Sequence, residues 1–152
     1  MAMTTVDNTG TRVVIHDLVL LLARIGLGIL MIGHAALMYN FAGSLAGVGE
    51  LFAPMGIPIP GVLGPANVLF EFVGGIAMIV GVAVPIVGVI MALNMVGAWV
   101  LVHTSPLYSM DNNGPELVIA IALLSLVLAV TGSGRFGLDH VLGTRRRARV
   151  AQ

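Results

Sequence analysis

Four stretches of this chain are apolar for about the thickness of a bilayer, and each is interrupted by only one or two polar positions. They run over roughly 18–38, 64–84, 85–103 and 115–131. About 20 mainly apolar residues carry a helix across the hydrocarbon core. The pattern therefore predicts an all-α fold, an integral membrane four-helix bundle. The interruptions are Arg24 and His34 in the first stretch, Glu71 in the second, Asn94 and His103 in the third, and Glu116 in the fourth. An ionisable group at membrane depth is costly, so each needs an inward-facing partner or a task.

The connections refine this picture. Residues 1–15 are polar and Thr-rich and read as a mobile N-terminal tail, with Asp17 placed to cap the first helix. Gly26 and Gly33 share one face of that helix, where small residues let a neighbouring backbone approach. In the long loop at 39–63, Phe41, Leu45, Val48 and Phe52 recur at helical spacing. They predict a short amphipathic helix along the outer interface, between spans 1 and 2. Pro54, Pro58 and Pro60 then end it, and their segment is expected over the outer mouth of the bundle. Pro85 leaves a tight turn between the second and third spans, which should form an antiparallel hairpin. Turn-forming residues fill 104–114, and Pro115 opens the fourth helix with Glu116 beside it. The domain reading is one membrane domain at 16–142, flanked by the tail at 1–15 and a basic tail at 143–152.

Composition supports the same class. Hydrophobic residues make up 58% of the chain and charged residues 9%, with a mean hydropathy of +1.04. Soluble domains usually carry about 25% charged residues. The net charge of zero hides a segregation. All seven basic residues are arginines, and all but Arg24 lie before the first span or after the fourth, while the loops at 39–63, 84–86 and 104–114 have none. Positive residues stay on the cytoplasmic side, so a multi-pass protein of the cell membrane with both termini cytoplasmic is expected. The lipid bilayer is its first partner, and nucleic acid is not expected. The run Arg145–Arg149 reads as a topology determinant, or as a contact for anionic lipid at about 1 kcal/mol per basic residue. No small-residue cleavage site follows the first span, so a retained signal-anchor helix is expected.

The chain has no cysteine. That removes disulfides, thiolate redox chemistry, cysteine-ligated iron–sulfur clusters and covalently attached c-type haem. No covalently bound cofactor is expected, and any redox role would run through a diffusible carrier or a partner protein.

Depth places the polar residues. Glu71 lies about 10 Å below the outer face and Arg24 about 9 Å from the inner one, at 1.5 Å of rise per residue. His34, Trp99, His103 and Glu116 fall in the outer half, so all four spans send a polar or aromatic group there. Two histidines and two glutamates in a low-dielectric site suit proton holding or a quinone carbonyl. Glu71 and His34 are the candidate catalytic pair; His34, Glu71, Asn94, Trp99, His103 and Glu116 are the candidate ligand-binding set. No local motif such as Glu-x-x-His joins them, and no metal site is assigned. Each has a plainer reading. His34 can bond a backbone carbonyl, Glu71 can form a structural pair with His34 or Arg24, and Arg24 can snorkel to the inner headgroups. Asn94 can be interhelical glue. Trp99, His103, Glu116, Tyr39 and Tyr108 can be ordinary interfacial residues.

The chain resembles the DoxX family of small four-span membrane proteins over roughly 18–142. The resemblance rests on Leu22-Ala-Arg-Ile-Gly-Leu-Gly28 with Gly33-His34, on Met55-Gly-Ile-Pro-Ile-Pro60, on Glu71-Phe-Val-Gly-Gly75 with the turn from Gly81 to Pro85, on Asn113-Gly-Pro-Glu-Leu117, and most specifically on Thr131-Gly-Ser-Gly-Arg-Phe-Gly-Leu-Asp139. One departure is Met38, where family members often carry a lysine. The resemblance implies membrane redox chemistry: some relatives look like subunits of thiosulfate:quinone oxidoreductases, and others associate with complexes involving superoxide dismutase and a sulfurtransferase-like partner.

Three functions compete. The first is a membrane subunit of a redox complex, with a quinone or quinol docking near His34, Glu71 and His103 and other membrane or redox proteins as partners. The second is a non-catalytic anchor or assembly module, in which Glu71 and Arg24 are structural. The third is a small-solute or lipid carrier, for which the sequence shows no inverted repeat or broken-helix pair, although further copies of the same chain could complete a pathway.

Overall fold

A computed structural model describes residues 8–105 and 114–143. The loop beyond Ser105 expected on the outer side, with Tyr108, and the arginines at 145–149 lie outside these residues. Among the described residues the secondary structure is entirely helical. The helices are α1 (Asn8–Ala42), α2 (Leu45–Phe52) with a 3-10 turn at Ala53–Met55, α3 (Pro60–Val80), α4 (Val84–Leu101) and α5 (Glu116–Thr131). Three of them, α1, α3 and α4, are long and apolar enough to cross a membrane. The fourth apolar helix, α5, has 16 residues, about 24 Å of rise against a core of about 30 Å.

Residues 8–15, expected in a mobile tail, are the first turns of α1. Asp17 therefore lies inside a helix and does not cap it. Instead its buried carboxylate accepts the backbone N–H of Arg135 at 3.2 Å and faces the Arg135 Nε at 3.9 Å, fastening α1 to the segment after α5. Gly43, at φ 72°, ends α1. Ser44 then caps α2 by accepting the N–H of Gly47 at 3.0 Å. Pro60 opens α3 and Pro85 lies in the first turn of α4, where a missing N–H costs nothing.

The packing is by antiparallel pairs: α1 lies against α3 and α4 against α5. The hairpin expected from the short 81–83 turn exists in topology, but α3 and α4 touch far less than either pair does. Gly26 and Gly33 do not make the close approach: a Cβ at either would meet nothing within 4 Å. Gly28 and Gly75 make it instead. A Cβ on Gly28 would lie 2.5 Å from the Gly75 carbonyl oxygen, and one on Gly75 would lie 2.8 Å from that of Gly28. α2 folds back onto α3, burying Val48, Gly49 and Phe52. The core joining the pairs contains Leu27, Met31, Met78, Met91, Met95 and Leu128.

Past α5, the chain turns at Gly132 and Gly134, both with positive φ, and a further helical stretch covers 138–143. Asp139 caps α4: its two oxygens accept the N–H groups of Ala83 at 2.7 Å and Val84 at 2.9 Å. Its own N–H donates to the Gly81 carbonyl at 2.9 Å. The block at 131–139 is thus a clasp across the Arg24 ends of α1, α3 and α4.

Candidate functional site

The α1–α3 register set by Gly28 and Gly75 brings His34 opposite Glu71. A 2.8 Å hydrogen bond joins His34 Nδ1 to Glu71 Oε2. The Glu71 side chain is 2% exposed and that of His34 51%. The other carboxylate oxygen, Oε1, accepts the side-chain N–H of Asn67 at 3.1 Å, and Asn94 approaches it at 3.5 Å. The carboxyl group is held by three elements, α1, α3 and α4, and it is buried without being orphaned.

These residues line a cavity of about 910 Å³ between the helix pairs. Its wall is mostly apolar: Leu30 and Leu37 from α1, Phe70 from α3, Leu93 and Ala98 from α4, and Ile121 from α5. Phe52 and Met55 reach it from the α2 side, and Met31 and Met95 line its deeper part. His103 also lines it, at the far end of α4. A proton-holding pair in an apolar cavity can hydrogen-bond a carbonyl or hydroxyl of a lipophilic molecule and exchange a proton with it.

Four of the six candidate ligand residues therefore share one cavity: His34, Glu71, Asn94 and His103. Trp99 and Glu116 do not line it. Trp99 is 44% exposed on the outside of α4, because α4 turns that face away from the other helices. Glu116 sits in the first turn of α5 and folds over Gly114. Asn67 was missed in the sequence. Its signal is the spacing of four from Glu71, which puts an amide and a carboxyl on one helical face. Met38, at the family's lysine position, lines the same cavity.

Arg24 is not part of this site, nor does it snorkel. Its side chain is buried, with Nη1 donating to the Met78 carbonyl at 3.0 Å and lying 3.4 Å from that of Ile79. These are carbonyls of the last turn of α3, which lack helical partners, so the guanidinium caps the negative end of that helix. Gly81, at φ 76°, makes the space: a Cβ there would collide with the guanidinium. Asp139 lies within electrostatic reach. Among the described residues, Nε and Nη2 of Arg24 have no partner.

No solved structure matches the chain. The family model described as DoxX matches residues 19–104. The Bacillus subtilis (strain 168) protein named "Putative oxidoreductase CatD" is 32% identical over 119 residues, covering 78% of this chain and 83% of the relative. With more than half of its length matched by the family and a relative of this similarity aligned across most of both chains, this membrane protein belongs to the DoxX family.

Proposed function

We propose that the chain is an integral membrane subunit of a redox complex, and that the His34–Glu71 cavity binds the head of a quinone or quinol. The observation that carries this reading is a buried carboxyl bonded to an imidazole in the wall of a largely apolar cavity. At about 910 Å³ the cavity falls within the roughly 300–1,000 Å³ of small-molecule sites, which pair apolar walls with a few convergent polar groups. The relative's name, an oxidoreductase, agrees with it.

In the bilayer, α5 acts as the fourth span, with its 16 residues extended by the turns at each end. Both termini face the cytoplasm, and α2 lies along the outer interface above the cavity. A quinone supplies two-electron, two-proton chemistry. His34 and Asn94 orient its oxygen atoms, and Glu71 takes a proton from a hydroxyl or returns one to a carbonyl. Phe52, Met55 and Phe70 keep bulk water from the ring. With no cysteine in the chain, a partner protein delivers or accepts the electrons.

The test is binding of a short-chain quinone analogue to the purified protein in lipid nanodiscs. Wild type should bind saturably, and Glu71→Gln should bind at least about tenfold more weakly, since one charge-assisted hydrogen bond contributes about 1.5–3 kcal/mol. No saturable binding, or equal binding by both, would leave the anchoring role.

A further inference from the structure

We infer that Glu71 exchanges protons with only one compartment, the one at the α2 end of the bundle, and that His34 is its port. The inference rests on the reading of Glu71 as the cavity's proton-exchanging group, but on no particular ligand. Two observations define the open side. The cavity runs from Glu71 to His103, Phe52 and Met55 at that end, and His34, bonded to the buried carboxyl, stands half-exposed in its wall, so His34 is the group through which a proton reaches Glu71. His103, the other titratable group among the described residues of the cavity wall, stands at the same end, just past the C-terminus of α4. The remaining elements against the cavity, α5 and the α2 segment, present Val118, Ile121, Phe52 and Met55, none of which titrates.

The other side is closed twice. Between the level of Glu71 and that of Arg24 lie seven residues of α3, about 10 Å of rise. Leu27, Met78, Met91 and Leu128, one each from α1, α3, α4 and α5, are buried there and in the floor beneath. All four are no more than 1% exposed and belong to one cluster. None of these four carries a proton, and the hydroxyl of Ser125, buried at the same depth, is committed to the Ile121 carbonyl at 2.7 Å, so the layer offers no side-chain relay in a close-packed interior. Beneath the layer stands Arg24, buried and held by the α3 carbonyls. A fixed cation there repels a proton arriving from the inner end. The bundle is thus a one-sided proton well. Protons released when a quinol is oxidised in the cavity leave at the α2 end and do not return to the Arg24 end.

The experiment is infrared difference spectroscopy of the protein in vesicles of uniform orientation, with the pH of each compartment set independently. The Glu71 carboxyl band is assigned by its loss in Glu71→Gln. It should follow the pH at the α2 end and ignore the pH at the Arg24 end. His34→Gln, which retains a hydrogen-bonding amide but cannot relay a proton, should slow the response by about a hundredfold, the lower end of what a positioned acid–base group contributes. Leu27→Asn, placed in the apolar layer, should add sensitivity to the second compartment. A band that follows the Arg24-end pH, follows both, or follows neither would overturn the inference, as would an unchanged rate in His34→Gln. Quinone binding is measured separately, so its failure and a failure of one-sided exchange remain distinct.

Discussion

Gly28 and Gly75 face each other so closely that each would drive a Cβ into the other's carbonyl oxygen. This backbone contact fixes how α1 lies on α3. From it follow both polar relationships of the pair: His34 meets Glu71 above it, and Arg24 meets the Met78 carbonyl below it.

Gly28→Ala and Gly75→Ala should each destabilise the protein by about 1–3 kcal/mol, the usual cost of overpacking a tight contact. Gly26→Ala and Gly33→Ala, with nothing within 4 Å of an added Cβ, should stay within about 0.5 kcal/mol of wild type. Thermal unfolding in lipid nanodiscs compares the four, and similar losses in both pairs would refute this helix contact.

Gly81→Ala should be costly for two reasons. Its φ of 76° strains a residue with a Cβ, and that Cβ would strike the Arg24 guanidinium. The combined loss should reach about 2 kcal/mol, about 1 kcal/mol from the backbone and the rest from displacing Arg24. Pairing it with Arg24→Ala should make the two losses less than additive, because the clash with the guanidinium then disappears and only the one with the Gly137 backbone remains. Additive losses would mean that the two residues do not meet.

Asp139→Ala removes the acceptor of two N–H groups at the start of α4. It should cost about 1–2 kcal/mol, the range of strong N-caps. Asp139→Asn keeps one accepting oxygen and should lose roughly half as much. Hydrogen exchange at Ala83 and Val84 gives the local readout, with protection falling in both variants and furthest in the alanine.

Asn67→Ala should loosen the Glu71 carboxyl without removing it. If the cavity binds a quinone head, affinity should drop a fewfold, less than for Glu71→Gln, because the His34 bond remains. Unchanged affinity with unchanged stability would mean that the 3.1 Å Asn67 bond does nothing for the site.

Much of the helical order was legible, because the spans announce themselves as long apolar runs and prolines and glycines mark their ends. The meeting of His34 and Glu71 was legible as shared depth in the outer half. Other features were not. The extension of α1 back to Asn8 escaped notice because polar, Thr-rich residues have weak helical preference and here gain their order from continuity with the span. Gly26 and Gly28 both sit in a Gly-rich helix, and only the partner's position says that the face of Gly28 packs and that of Gly26 does not. Trp99 and Glu116 share the depth of the cavity but not its direction, and one-dimensional depth carries no information on rotation about the helix axis. Asp17 and Asp139 act on backbone N–H groups distant in the chain, a pairing that periodicity does not reveal.

The most direct test is solid-state NMR of the bilayer-embedded protein carrying 15N-labelled histidine and 13C-carboxyl-labelled glutamate. The 2.8 Å bond between His34 Nδ1 and Glu71 Oε2 predicts a strong dipolar coupling between one imidazole nitrogen and one carboxyl carbon, lost in Glu71→Gln. Absence of that coupling in the wild-type protein, or its persistence in the variant, would contradict the buried pair on which the proposed function stands.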